Sequence, residues 1–429
     1  MFIDKKNSIK IVLINYLIAL LPLSLILGNF AVNLNIIIIC LIGLWINGKN
    51  NFLIKDKLCH YFIYSFFFYL IIITFINNIE YFETNYIYKT HFLKSIYFLR
   101  YLIFFLVINK LAEKNMLNLK YFFYSATFFV FLLGIDILIQ VFIGKNLLGY
   151  KITANRPSGF FGDEHIAGGY FQRFVFFLIF LLIIKLRDNF KRYTAFILLS
   201  FMFLVPIILT GNRMSMLIYV ASCLIFLILE KKFKEIILFF LLCILTTSLI
   251  LKFQLVSHLN VQLTNFYTDT RTMIVHGPKL FYLKNYDHKD INFRSGYLIH
   301  FNSGIQIWKK NKIFGNGLKS LPVNCKYRNN QTCNSHPHNY FIQILMDAGI
   351  VGLLLIYTVF FIGFLKFLKF YFFSDDQKTK YFFFPFFIIT FFEFFPLRSS
   401  GSFFSTSNSV VIFFMLAVLL NFQKIKKYF

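Results

Sequence analysis

The sequence predicts an all-α, polytopic integral membrane protein of about twelve transmembrane helices, and three observations predict it. Hydrophobic residues make up 58% of the 429 and charged residues only 14%, more apolar surface than a soluble globule could bury. Uncharged runs such as Ile11 to Leu27, Phe174 to Ile184 and Val351 to Leu365 recur along the chain. With their flanks, the longer runs reach the roughly 20 residues that a helix needs to cross a hydrocarbon core. Lys and Arg gather in alternate loops. The runs lack the alternation of an outer-membrane strand, and helices satisfy their own backbone in lipid.

Taken in order, the expected spans are 10–28, 30–47, 60–77, 93–112, 121–143, 165–186, 193–210, 214–230, 235–252, 338–366, 381–397 and 407–422. The amino end (Asp4, Lys5, Lys6, Lys10, then an apolar run) reads as a signal anchor with its start in the cytoplasm. With that end inside, Lys49, Lys55, Lys57, Lys114, Lys120, Arg187, Lys191, Arg192, Lys231, Lys232, Lys234, Lys378 and Lys380 fall in inner loops. The tail adds Lys424, Lys426 and Lys427, and both termini are cytoplasmic; an outer loop carries Glu80 and Glu83. This is the positive-inside pattern. The 63 Phe reflect base composition and packing, and carry no functional weight.

The chain reads as a single membrane domain, 1–429, in which 253–337 form a large periplasmic loop between spans nine and ten. That loop holds eleven Lys/Arg against Asp269, Asp287 and Asp290. Long loops translocate regardless of charge. The basic balance fits either attraction to anionic headgroups or an anionic substrate at the outer face. No nucleotide-binding glycine loop occurs, so the chemistry is expected outside and without ATP. Cys325 and Cys333 lie in the loop just before His336, where an oxidising compartment permits a disulfide. Zinc with His336 and His338 is the rival, but the cysteine spacing is not a standard zinc spacing.

Polar residues that the fold does not require gather in three outer places. Arg156 to His165 (RPSGFFGDEH) leads into span six. Thr210-Gly211-Asn212-Arg213-Met214-Ser215 is a tight turn, where an Arg at membrane level needs either a partner or headgroups to snorkel to. His336-Pro337-His338-Asn339 ends the long loop, followed by Gly349-Ile350-Val351-Gly352. Gly349 and Gly352 are expected to allow close helix packing. His338 is expected in the first turn of a helix, where the positive dipole end keeps an imidazole neutral and able to accept a proton; a merely structural His at a helix start is the alternative.

His338-Asn339 followed by Gly349-x-x-Gly352 resembles the signature of the O-antigen ligases and the related O-antigen polymerases. The turn around Arg213, the RPSGFFGDEHIAG segment and IWKKNKIFGNGL (Ile307 to Leu318) are similar to that superfamily's other outer-face motifs, in the same order over residues 156 to 352. The resemblance implies an inverting, metal-independent glycosyltransferase without a cofactor in the bacterial inner membrane, its active site facing the periplasm. The donor would be a glycan on undecaprenyl pyrophosphate and the acceptor a lipid A-core sugar hydroxyl. It implies His338 as catalytic base, Arg213, Arg294 and Arg156 as pyrophosphate ligands, and His336 and Asn339 as support. Leu353 and Asp163-Glu164-His165 depart from the ligase pattern and keep open a polymerase, which extends the lipid-linked glycan instead. A transporter of an anionic lipid-linked sugar is more remote: it calls for ionisable residues within spans, where Arg173 and Glu393 are the main candidates.

Overall fold

The computed structural model describes residues 5–81, 86–153, 156–252, 271, 275, 277, 279, 296–324 and 335–425. Among these residues the chain is helical, with isolated β-bridges at Lys145–Lys151 and Thr153–Arg156 and no strand.

The membrane helices are α1 (Lys5–Ala19), α2 (Leu21–Leu27), α3 (Asn29–Asn47), α4 (Lys57–Asn78), α5 (Tyr86–Tyr97), α6 (Leu99–Glu113), α7 (Lys120–Ile143), α8 (Ala167–Ile183), α9 (Asn189–Leu209), α10 (Arg213–Leu229) and α11 (Phe233–Lys252). The former loop region supplies α12 (Gly296–Trp308) and the short α13 (Leu321–Asn324), and α14 (Tyr340–Phe373), α15 (Gln377–Glu393) and α16 (Thr406–Asn421) complete the bundle. A helix stands at each expected span. By length and apolarity, however, the described residues support seven crossings, or eight if α1 and α2, bent by 46°, count as one. The helices α8 and α10 are apolar but short for a full hydrocarbon core.

Polar caps start several helices. Asp56, Asp188, Asn212, Asn339 and Asp376 each accept a hydrogen bond from a first-turn amide of α4, α9, α10, α14 and α15. The buried centre is α8, α15 and α16, whose phenylalanines interleave with those of α7: Phe122, Phe177, Phe386 and Phe414 meet at ring-centroid distances of 4.9–6.1 Å. Outer faces carry exposed apolar side chains such as Leu41, Leu354 and Leu365, as a surface bathed in lipid requires.

The two ends of the bundle differ in chemistry. At one end the basic connections meet: Lys114 Nζ donates to Asn47, Lys366 pairs with Asp56 at 2.5 Å, and Lys55 N donates to Glu113. The other end gathers the α2–α3 turn, the approach to α8, the α9–α10 turn, the start of α14 and the α15–α16 connection.

Candidate functional site

Two polar side chains on the last turns of α7 organise the segment that leads to α8. Gln140 Oε1 accepts from Ser158 N at 3.0 Å and Gly159 N at 2.8 Å, while Asp136 Oδ1 accepts from Leu147 N at 2.8 Å. Asn146 closes the loop by donating to Gly159 O at 2.7 Å. The segment then delivers Gly168 against the α9–α10 turn, where a Cβ would lie 2.6 Å from Asn212 Cβ and 2.8 Å from Thr210 Oγ1. A glycine is required by this close approach, and it joins two of the three motifs.

The third motif interlocks with the turn before it. Gly349 breaks α14 with φ 65° and ψ −169°, a conformation that glycine alone enters cheaply. The break frees carbonyls and amides, and the turn at 312–317 takes them up. Asn316 N donates to Met346 O (3.0 Å), Gly317 N to Asp347 O (2.9 Å), Ile350 N to Lys312 O (3.0 Å) and Val351 N to Ile313 O (3.1 Å). Asp347 also accepts from the Ser320 hydroxyl and amide at 2.7 and 3.1 Å. Helix α12 packs on the same segment through Leu298, Phe301, Ile305 and Ile342. At Gly352 an added Cβ would lie 2.2 Å from Ala348 Cβ across the break in α14 and 3.4 Å from Tyr69 Cε1 on α4, so the break and the approach of α4 both call for a glycine. For Gly349 the expectation of close helix packing is corrected: it is a backbone break that docks the turn.

His338 precedes this helix with φ 54°. The first-turn expectation for it is corrected too: Asn339 is the N-cap and the helix begins at Tyr340. Asn339 Oδ1 accepts from Ile342 N at 2.9 Å, and its Nδ2 donates to Pro396 O and Arg398 O at 2.6 and 3.0 Å. His338 O accepts from Ser400 N at 2.8 Å. The α15–α16 connection is thus tied to both residues. The His338 ring lies 4.3 Å from that of His336 and 5.0 Å from that of His300 on α12. Burial lowers its pKa below the ordinary histidine value, against a hydrogen bond to Ser400 that raises it, so the neutral ring is favoured near pH 7.

Beside these residues opens a cavity of about 310 Å³. Its lining includes Asn29, Glu164, Asn212, Ser215, Tyr340 and Ser400, together with Arg173 and Arg398. Arg173 Nε contacts Glu393 Oε1 at 2.8 Å, and its Nη2 reaches Asn408 at 2.7 Å and the Tyr340 hydroxyl at 3.3 Å. Arg398 Nη1 meets the other Glu393 oxygen at 2.8 Å.

Of the residues singled out in the sequence, His336, His338 and Asn339 are together and adjoin the cavity through Tyr340 and Ser400. Arg213 opens α10 half-buried; its neighbours Asn212, Met214 and Ser215 line the cavity. Arg156 does not line it and stands near His165, whose pKa burial and then Arg156 hold low. Arg294, Cys325 and Cys333 lie outside the described residues. Sequence reasoning missed Arg398 and the role of Tyr340. The signal was present as an Arg among serines and glycine, Pro396 to Ser402, in a turn between two apolar helices.

Residues 196–357 match the family model described as O-antigen ligase. Over this segment the chain is similar to the O-antigen ligase family. The resemblance to the O-antigen ligase and polymerase superfamily is thereby borne out. The ligase-family segment runs from α9 into the second half of α14, so it holds Arg213, the interlocking turn, His338 and Gly349. Arg173, Glu393 and Arg398 lie outside it. No curated protein matches the chain.

Proposed function

We propose that the protein is an O-antigen ligase-like glycosyltransferase. It moves a glycan from undecaprenyl pyrophosphate to a lipid A-core sugar hydroxyl at the periplasmic face of the bacterial inner membrane. In this reading twelve helices cross the bilayer and both termini are cytoplasmic. The observation that carries it is the ligase-family segment, which spans both the Arg213 turn and His338.

The reaction is an inverting, metal-independent displacement. His338 takes the proton of the acceptor hydroxyl as that oxygen attacks the anomeric carbon. The bond from that carbon to the pyrophosphate oxygen breaks, and the pyrophosphate leaves with the electron pair. Arg213, Arg294 and Arg156 neutralise the departing charge, a task suited to planar guanidinium forks. Burial of His338, which disfavours its protonated form, supports its use as a base. His336 and Asn339 support it by ring contact and by anchoring the helix start. A disulfide between Cys325 and Cys333 would brace the loop that presents it.

His338→Ala should insert and fold yet lose glycan transfer; wild-type transfer by that variant would refute the assignment. A polymerase is the second reading, favoured by Leu353 and Asp163-Glu164-His165. A deletion strain separates the two. Bare lipid A-core marks loss of a ligase, and core bearing one repeat unit marks loss of a polymerase. The transporter reading loses support where Arg173 and Glu393, the charges within its spans, pair with each other. Turnover of a lipid-pyrophosphate glycan by purified protein in detergent would exclude pure transport.

A further inference from the structure

The buried ionic cluster beside the cavity holds two guanidinium groups and one carboxylate. Arg173 and Arg398 share Glu393, which is 1% exposed, and Arg398 is itself 6% exposed. Guanidinium groups stay protonated in proteins, so one cation is left over where water is scarce. Such a charge is costly unless an anion joins it. Glu164 also lines the cavity, but it is exposed and makes no ion pair with either arginine of the buried cluster among the described contacts. Two buried donors in the lining, Arg398 Nε and Gln172 Nε2, have no hydrogen-bond partner among the described residues. A native fold seldom leaves buried donors unused without a reason.

The rest of the lining has sugar-binding chemistry. Asn29 and Asn212 bring amides to the wall, Ser399, Ser400, Ser405 and Ser407 bring hydroxyls, and Phe161 and Tyr170 are aromatic lining residues. The volume of about 310 Å³ lies at the small end of ligand pockets, room for a single sugar unit and not for a polyprenyl pyrophosphate. We propose that this cavity is a binding subsite for one acidic sugar unit of the transferred glycan or of its acceptor, with the sugar carboxylate paired to Arg398. The proposal rests on the glycan-transfer reading. A carboxylate fits better than a pyrophosphate, because the surplus is a single charge and neither Arg213 nor Arg156 lines the cavity.

The test uses the full-length chain in detergent micelles, with glucuronate, glucose and inorganic pyrophosphate as probes and calorimetric or ligand-observed NMR titration as readout. Glucuronate should bind about tenfold or more tightly than glucose, the value of one charge-assisted contact. Arg398→Gln should abolish that preference. Glu393→Gln should raise glucuronate affinity, because it releases a second cation. The opposed directions matter: both substitutions break the same buried pair, and a merely structural role would weaken binding in both. Equal binding of glucuronate and glucose by the wild type overturns the proposal, as does unchanged or weaker binding by Glu393→Gln. Pyrophosphate that outcompetes glucuronate with the same dependence on Arg398 also overturns it, and assigns the anion to the lipid phosphate. If Arg398→Gln fails to fold, the wild-type preference and Glu393→Gln still decide. His338→Ala keeps the two claims apart. Loss of transfer by that variant without any glucuronate preference in the wild type sinks the subsite alone. Preference with transfer intact in His338→Ala sinks the His338 assignment alone.

Discussion

Replacing Gly349 with alanine should be among the most damaging single methyl additions around the broken helix α14. At φ 65° and ψ −169° the residue occupies backbone space that costs an L-residue about 1–3 kcal/mol. The added Cβ would also come within 2.6 Å of Gly315 N and Ile313 C. Both are main-chain atoms, so no rotamer change relieves the clash and the 312–317 turn must move away. Four backbone hydrogen bonds join that turn to the broken helix, each worth about 1 kcal/mol. Losing half of them on top of the strain gives about 3–5 kcal/mol. The assay is the apparent melting midpoint of the purified chain in detergent. Gly169→Ala serves as control, since it sits within a helix with nothing within 4 Å of its Cβ. Gly349→Ala should melt many degrees lower, Gly169→Ala with the wild type. Gly315 approaches the same peptide from the other side at φ 82°, and its alanine variant should behave like Gly349→Ala. Wild-type melting by Gly349→Ala would refute the docking account.

Two further outcomes follow from the start of α14. Burial, and then His338, His300 and Lys319, hold the His336 pKa at about 4, against an unfolded value of about 6.5. Between those values the unfolded chain binds the extra proton, so stability should fall as pH drops from about 6.5 towards about 4. His336→Asn should flatten that slope in a melting series, and identical slopes would refute burial of a neutral ring. Asn339→Ala removes a helix cap and two donors to the Pro396 and Arg398 carbonyls, at a cost of about 2–3 kcal/mol. Asn339→Asp keeps the cap and should melt in between; an aspartate variant as stable as wild type would show that the two donors contribute nothing.

Much of the membrane architecture was legible in the sequence because apolarity and loop charge are local properties. A helix stands at each apolar run, and the basic connections share one end of the bundle. The number of crossings was less legible, since α8 and α10 fall short of a full span and α1–α2 is bent. Within the site, the turn around Arg213 and the His338-Asn339 pair could be found by motif. Arg398 could not, because its meaning depends on Glu393 and Arg173, more than two hundred positions apart in sequence and on different helices.

The sequence by itself determined that this chain is a helical membrane protein with motifs similar to those of the O-antigen ligase and polymerase superfamily, because hydropathy, charge order and short motifs need no partner to be read. Tertiary structure alone decided what the glycines and charges are for. Gly349 became a docking break only once the 312–317 turn met it, and His338 left the helix because Asn339 caps it against the Pro396–Arg398 carbonyls. The surplus cation beside the cavity exists only because packing of α8 against α15 and the α15–α16 connection brings two arginines to one carboxylate. Such pairings are set by contacts between distant segments, which the linear order of residues does not display.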